Sequence, residues 1–116
     1  MNNAFWITMQ ELLAAGEIVI DRPKGLPHPR YPEMVYPLDY GYLPGTTAAD
    51  GGGIDVWIGS LGGRALTGIV CTFDTIKRDA EIKLLAGCTP ADVETIVRFH
   101  SDGMCALFIS CPGATQ

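Results

Sequence analysis

The chain is short of basic residues. Its 116 residues hold 8 Lys and Arg against 13 Asp and Glu, a formal net charge of −5. An acidic chain without a basic run has little to hold a phosphate backbone, which argues against DNA or RNA as its principal partner. Long apolar runs are missing too: none reaches the roughly 18 residues that a membrane span needs. The first fifteen residues contain Glu11 and show neither a basic leader nor a clean apolar stretch, so they do not read as a signal peptide, and a cytoplasmic location is expected. The four cysteines, Cys71, Cys88, Cys105 and Cys111, form no C-x-x-C pair and match no zinc spacing. They read as buried free thiols. There is no P-loop, no G-x-G-x-x-G and no Ser-His-Asp or Cys-His spacing. His28 and His100 lack a partner pattern and are assigned no role.

What remains is enough for one domain over 1–116, with a hydrophobic fraction of 47%. Residues 3–15 place Phe5, Met9, Leu12 and Leu13 on one face of a helix. Asn2 or Asn3 suits its cap, and Gly16 suits the position after its end. Residues 17–22 alternate like a strand, with Ile18 and Ile20 on one side. Six of the eight prolines fall within 23–45, together with Tyr31, Tyr36, Tyr40 and Tyr42. Proline blocks central-strand pairing, so this is an ordered but irregular segment with short extended pieces at 34–36 and 40–43.

Strands are expected from Ile54 to Gly59 after a triple-glycine turn, then over 65–74 and 80–86. Thr89-Pro90-Ala91-Asp92 opens a helix that runs to about His100: threonine caps, proline takes the first turn, and aspartate meets the dipole. Its inward residues are Val93, Ile96, Val97 and His100. A last strand spans 104–110. One helix between strands does not make an alternating βαβ chain. The economical fold is therefore mainly β with flanking helices, an α+β arrangement built on a small antiparallel barrel or curled sheet.

Asp50 and Asp55 bracket the glycine turn, and Asp74 and Asp79 bracket the end of the long strand. Antiparallel neighbours would bring both pairs to one end of the sheet, where carboxylates repel unless a cation joins them. Hard oxygen donors in that number suit Mg²⁺, Mn²⁺ or Ca²⁺. The alternative is that these are turn residues, since Asp and Gly favour turns and the D-x-x-x-x-D spacing is not specific. It also fails the EF-hand pattern. Lys24, Arg30, Lys77, Arg78 and Lys83 lie nearby in sequence and could meet an anionic, phosphate-bearing substrate, or could be solvated charges.

The run YPLDYGYLPGTTAADGGGIDVWIG, residues 36–59, resembles the soluble inorganic pyrophosphatase family (family I). That family shows a Y-P-x-N-Y-G-Y-I-P-x-T segment followed by D-G-D-P-x-D-V. The counterparts here are Tyr36 to Pro44, and Asp50-Gly51-Gly52-Gly53-Ile54-Asp55-Val56. The stretch Gly68 to Ala86 is similar, with Asp74 and Asp79 at the family's separation, and IDRPKG resembles the entry of its substrate-binding strand. The likeness covers about 17–87.

The resemblance implies an OB-like barrel with an N-terminal and a C-terminal helix, and Mg²⁺-dependent hydrolysis of pyrophosphate or a related small phosphoanhydride by a metal-activated water. Mn²⁺ is a possible substitute for Mg²⁺. It implies Asp50, Asp55, Asp74 and Asp79 as metal ligands, with Asp21 as the nearest match to an outer one and Glu17 as the alternative. Asp55 would bridge two ions and so share in catalysis with Tyr40 beside the nucleophile, and Lys24, Arg30 and Lys83 would hold phosphate. A homo-oligomer is expected, with no nucleic-acid or membrane partner.

The chain departs from the family at definite places. Gly52 stands where the family has its middle aspartate, the usual water partner, and Gly53 replaces a proline. Pro32 replaces a glutamate, and only Pro32 to Val35 fill the space of a hairpin that carries a phosphate-binding arginine. Glu81 holds the place of a lysine, with Lys83 two residues on. Phe99-His100 offers no Tyr-Lys pair. Two functions therefore stay open: the enzyme, and a catalytically degenerate metal- and phosphate-binding module of the same fold.

Overall fold

The computed structural model describes residues 3–113, and the alternative helix cap, Asn2, lies outside them. The elements run α1 (Ala4–Ala15), β1 (Val19–Arg22), β2 (Asp39–Leu43), β3 (Ile54–Ile58), β4 (Leu66–Asp74), β5 (Asp79–Ala86), α2 (Pro90–His100) and β6 (Cys105–Ser110). The fold is mixed α+β and mostly β. Its six strands form one sheet in the order β1-β2-β3-β5-β4-β6.

Two features depart from the expected antiparallel barrel. β3 and β5 pair in parallel, Val56 opposite Leu84 and Trp57 opposite Leu85, while the other neighbours are antiparallel. The parallel pair arises because β4 is inserted on the far side of β5. The chain leaves β3, crosses to β4, and returns by a tight hairpin to lie between them. β1 and β6 stand at the two ends of the strand order, so the sheet is open.

Two apolar clusters sandwich the sheet. On one face Trp57, Val70, Leu85 and Cys88 pack with Tyr36, Leu38, Val93 and Ile96, beneath α2. On the other, Val56, Ile69, Leu84 and Ala86 pack with Leu43, Leu66 and Leu13 of α1. Strand alternation divides the residues cleanly: Trp57 and Leu85 face α2, and their chain neighbours Val56 and Leu84 face α1. Gly41 has no room for a side chain, because a Cβ there would lie 1.9 Å from the Val19 carbonyl oxygen. That close approach is what lets β1 lie against β2.

The helix ends are held differently from each other. At α2 the Thr89 hydroxyl accepts from the Asp92 N–H at 3.1 Å, and the Asp92 carboxylate accepts from the Thr89 N–H at 3.0 Å. The threonine cap is the one its sequence predicts; the return bond from Asp92 completes a reciprocal capping box. Asp92 also accepts from the Ser60 N–H and hydroxyl, at 2.9 and 2.8 Å, which ties α2 to the loop after β3.

At α1 the expected Asn3 side-chain cap is absent, and Gly16 is extended with φ −102° rather than left-handed. The Arg64 guanidinium instead donates to the carbonyls of Leu13 and Gly16. Of the predicted apolar stripe only Leu13 is buried, and Phe5 lies exposed. The proline-rich segment folds back on itself: Tyr36 N–H donates to Leu26, Gly25 N–H to Tyr36 and His28 N–H to Met34, with Pro27 bridged to Val35.

All four cysteines are free. Cys88 is buried as expected, Cys71 and Cys111 are half-buried, and Cys105 is exposed. The last corrects the expectation of a buried thiol: Cys105 opens β6, the strand at one edge of the sheet. None of the helices among the described residues is long and apolar enough to cross a membrane.

Candidate functional site

The face of the sheet beneath α2 changes character along its strands. Near α2 it is apolar, with Trp57, Leu85 and Val70. Farther along the same strands it turns polar. On β5 the period of two sets Asp79, Glu81 and Lys83 on this face. On β4, Asp74 stands opposite Asp79, Thr72 opposite Glu81, and Val70 opposite Lys83. On β3, Asp55 lies two residues before Trp57, and on β2 Tyr40 stands opposite Trp57. Register alone therefore gathers acids from β3, β4 and β5 at one end of one face.

Asp50, Asp74, Asp79 and Glu81 line a single recess of about 160 Å³, with Thr72, Lys77, Lys83 and Met104. The glycine turn places Asp50: its Oδ1 accepts from the Gly52 N–H at 2.9 Å, and the Gly51 N–H donates to Ala48. The β4–β5 hairpin places the other pair. Asp74 Oδ1 accepts from the N–H groups of Ile76 and Lys77 at 2.9 and 3.0 Å, and Arg78 turns the chain at φ 61°. Those two N–H groups, Lys77 first, hold the Asp74 carboxyl below its ordinary range. Both bonds fall on Oδ1 and favour the ionised carboxylate.

Lys83 is the centre of the site. Only 6% of it is exposed. Its ammonium donates to Asp55 Oδ2 at 2.9 Å, to Glu81 Oε1 at 3.1 Å and to the Tyr40 hydroxyl at 3.1 Å. An ammonium has three protons, and all three are used. A buried charge left unpaired would cost several kcal/mol, which is why the lysine brings two carboxylates and a hydroxyl with it. Burial, and then the Asp55 carboxylate, push the Tyr40 hydroxyl far above its usual range, so it stays protonated. Behind this group the Trp57 indole N–H donates to His100 Nε2 at 3.0 Å. Burial and then the Lys83 charge push His100 down to about 3, so the imidazole is neutral.

Of the residues expected in a site, Asp50, Asp74, Asp79 and Lys83 meet at the recess, and Asp55 and Tyr40 join them through Lys83. Asp21, Lys24 and Arg30 do not. Asp21 sits on β1, 3.6 Å from Arg22. Lys24 is exposed and gives its backbone N–H to Asp39. Arg30 is exposed within the proline-rich segment, its N–H on His28 Nδ1. None of the three lines the recess.

Glu81 and Thr72 were not singled out as site residues. The alternation D-x-E-x-K over 79–83 was the signal for Glu81, since it puts three ionisable groups on one face of one strand. A roomier groove, about 590 Å³, lies between the proline-rich segment and α2, lined by Tyr31, Met34, Val35, Pro37 and Phe99 among others. It is mostly apolar and holds none of the expected ligands.

The donor set at the recess, four carboxylates and a hydroxyl, consists of hard oxygens and fits Mg²⁺ or Mn²⁺ in kind. As the side chains stand, no three His, Cys, Asp or Glu groups among the described residues gather tightly enough to hold an ion. Two of the acids, Asp55 and Glu81, are turned onto Lys83. In comparisons with protein-family models and with curated proteins, nothing matches the chain.

Proposed function

We propose that this protein is a Mg²⁺-dependent phosphohydrolase acting on inorganic pyrophosphate or a related small phosphoanhydride. The observation that carries this reading is the shared recess of Asp50, Asp74 and Asp79, with Asp55 hydrogen-bonded to Lys83 in its wall. These are the four acids singled out in the sequence, three from β3, β4 and β5 and Asp50 from the glycine turn before β3. The likeness of residues 36–59 to the pyrophosphatase family supports the same reading. The family's OB-like barrel belongs to this proposal: the six-stranded sheet, curled further to closure, would keep the acids at one mouth.

In this proposal Asp50, Asp74, Asp79 and Asp55 hold Mg²⁺ or Mn²⁺. When bound, the metal supplies an activated water at neutral pH and neutralises phosphate charge. Asp74 enters already ionised and pinned by its hairpin. Tyr40, held protonated, donates a hydrogen bond and cannot itself serve as a base. Lys77 and Lys83 line the recess and are the cations this reading assigns to the phosphate oxygens; Lys83 would first have to leave Asp55, Glu81 and Tyr40, and Lys24 and Arg30 lie outside the recess. Thr72 adds a hydroxyl to the wall.

Gly52 supplies no carboxylate for the attacking water. A missing water-orienting group lowers the rate by about 10² to 10⁴. This thinning favours, as a second reading, a module that binds metal and phosphate without turnover.

A cytoplasmic location, a small phosphate-containing substrate and self-association belong to the same proposal. Leu107, 62% exposed, with Ile109 and Phe73 beside it, supplies apolar surface for a second copy. The test is phosphate release from pyrophosphate and from nucleoside triphosphates with Mg²⁺ or Mn²⁺, and again with the metal chelated. Metal-dependent release from pyrophosphate is the expected result. Release from none of these substrates, with calorimetric metal binding intact, selects the binding module.

A further inference from the structure

The two faces of the sheet end differently. At the hairpin end of β4 and β5, one face carries Asp74, Asp79, Glu81 and Lys83. The opposite face of the same strand ends carries no charge. There Leu107, Cys71 and Ile82 stand side by side across β6, β4 and β5, and Cys105, Phe73 and Ala80 make the next row. α1 lies over this face only at its other end, where Gln10 accepts from the Leu66 N–H at 2.8 Å and Leu13 packs with Leu66, Ile69 and Leu84. The rows beyond it are bare: Leu107 is 62% exposed and Phe73 42%. The outer face of an antiparallel sheet is polar where it meets water, and this one is apolar across three strands.

The chain itself supplies the fitting partner. Its net charge of −5 works against a second copy over most of its surface. A patch without charge escapes that repulsion, and an apolar patch is complementary to itself about a two-fold axis. α1 rises about 10 Å from the sheet, which is also the spacing of two sheets packed face to face. A second copy turned end for end therefore fits the step that α1 makes, with its β4–β5 hairpin alongside α1. The residues at those two places match. The hairpin carries Ile76, 88% exposed, and the basic Arg78; α1 carries the exposed Phe5 and Ile7 and the acidic Glu11. From Ile69 to Ile76, and four strands wide from β3 to β6, the facing area is about 500 Å² in plan. Accessible area exceeds plan area, so the surface reaches the roughly 600 Å² per partner at which specific interfaces begin.

We propose that this bare sheet face is the interface of a two-fold dimer of the chain, packed sheet against sheet, with each copy's β4–β5 hairpin lying along the other's α1. The inference rests on the reading that the protein self-associates, and it gives that association a surface. It leaves the acidic recess, on the opposite face, open in both copies.

The test is sedimentation of the full chain from micromolar to near-millimolar concentration, for wild type, Leu107→Lys, Phe73→Lys and Val35→Lys. All three positions are exposed, so the variants should fold, as near-ultraviolet circular dichroism would show. Wild type is expected to form a dimer as concentration rises. Leu107→Lys and Phe73→Lys should each weaken dimerisation at least tenfold. Val35→Lys, in the groove between the proline-rich segment and α2, should leave it unchanged. A monomer throughout overturns the inference and self-association together. A dimer that neither face variant weakens, or that Val35→Lys weakens as much, overturns the inference alone.

A second measurement needs only the wild type. On dilution the methyl resonances of Leu107, Ile82 and Ile76 should shift together, while those of Val35 stay. Shifts confined to other methyls overturn the inference even where a dimer forms.

Discussion

Acid should weaken this protein before its carboxylates protonate, and His100 is the reason. The imidazole is packed against Trp57, Tyr40 and Phe99, and its Nε2 accepts the Trp57 indole proton at 3.0 Å. Protonating Nε2 would replace that acceptor with a donor, in a buried place close to the Lys83 charge. Its pKa falls from 6.5 in the unfolded chain to about 3 in the folded one. The folded state therefore binds fewer protons between those values, and stability falls as pH falls.

The stability is fully present above about pH 6.5 and is lost progressively below it. At pH 5 the loss is about 2 kcal/mol, from roughly 1.4 kcal/mol per pH unit over 1.5 units. For a chain of this length that is a fall in Tm of about 8 °C. Urea unfolding at pH 7.5 and pH 5.0, followed by tryptophan fluorescence, measures it directly. His100→Gln keeps an acceptor for Trp57 and cannot titrate, so its stability should change by less than about 0.5 kcal/mol over the same interval. Equal wild-type stability at the two pH values would refute the reasoning, because it would mean that His100 charges freely in place.

Further outcomes follow from the same geometry. Gly52 has backbone angles open to any residue, and a Cβ there meets nothing closer than Asp50 Oδ1 at 3.4 Å. Gly52→Asp should therefore fold and, on the hydrolase reading, raise phosphate release at least tenfold; unchanged release would remove Gly52 as the cause of low activity. Thr89→Ala removes half of the reciprocal cap of α2 and should lower stability by about 1 kcal/mol in urea unfolding. Burial pushes the Cys88 thiol up to about 12. At pH 8 a thiol reagent should therefore label the exposed Cys105 quickly and leave Cys88 unmodified until the chain unfolds, as peptide mass mapping would show.

The elements were legible because their signals are local. Thr89-Pro90-Ala91-Asp92 names a helix start that the fold builds atom for atom, and the observed β4, β5 and β6 differ from the expected strands by a residue at one end. The order of strands is not local. Nothing in 54–86 says that β5 turns back to lie between β4 and β3, and so the parallel β3–β5 pair was unforeseen.

The site divides in the same way. That Asp50, Asp74 and Asp79 lie together in one recess was legible because turns of known shape carry them to one end. Asp21 rested on likeness alone, and Lys24 and Arg30 on likeness and nearness in sequence; β1 and the proline-rich segment hold all three away from the recess. Lys83 was read as a cation for phosphate. Its coordination by Asp55, Glu81 and Tyr40 depends on three strands meeting, which no spacing along one strand reveals.

The measurement that bears most directly on the central claim is phosphate release from pyrophosphate with Mg²⁺ by the wild type and by Asp55→Asn. The account predicts release by the wild type that falls at least a hundredfold in Asp55→Asn, with the variant still folded by circular dichroism. Wild-type release that Asp55→Asn leaves unchanged, or no release with either Mg²⁺ or Mn²⁺, would contradict it.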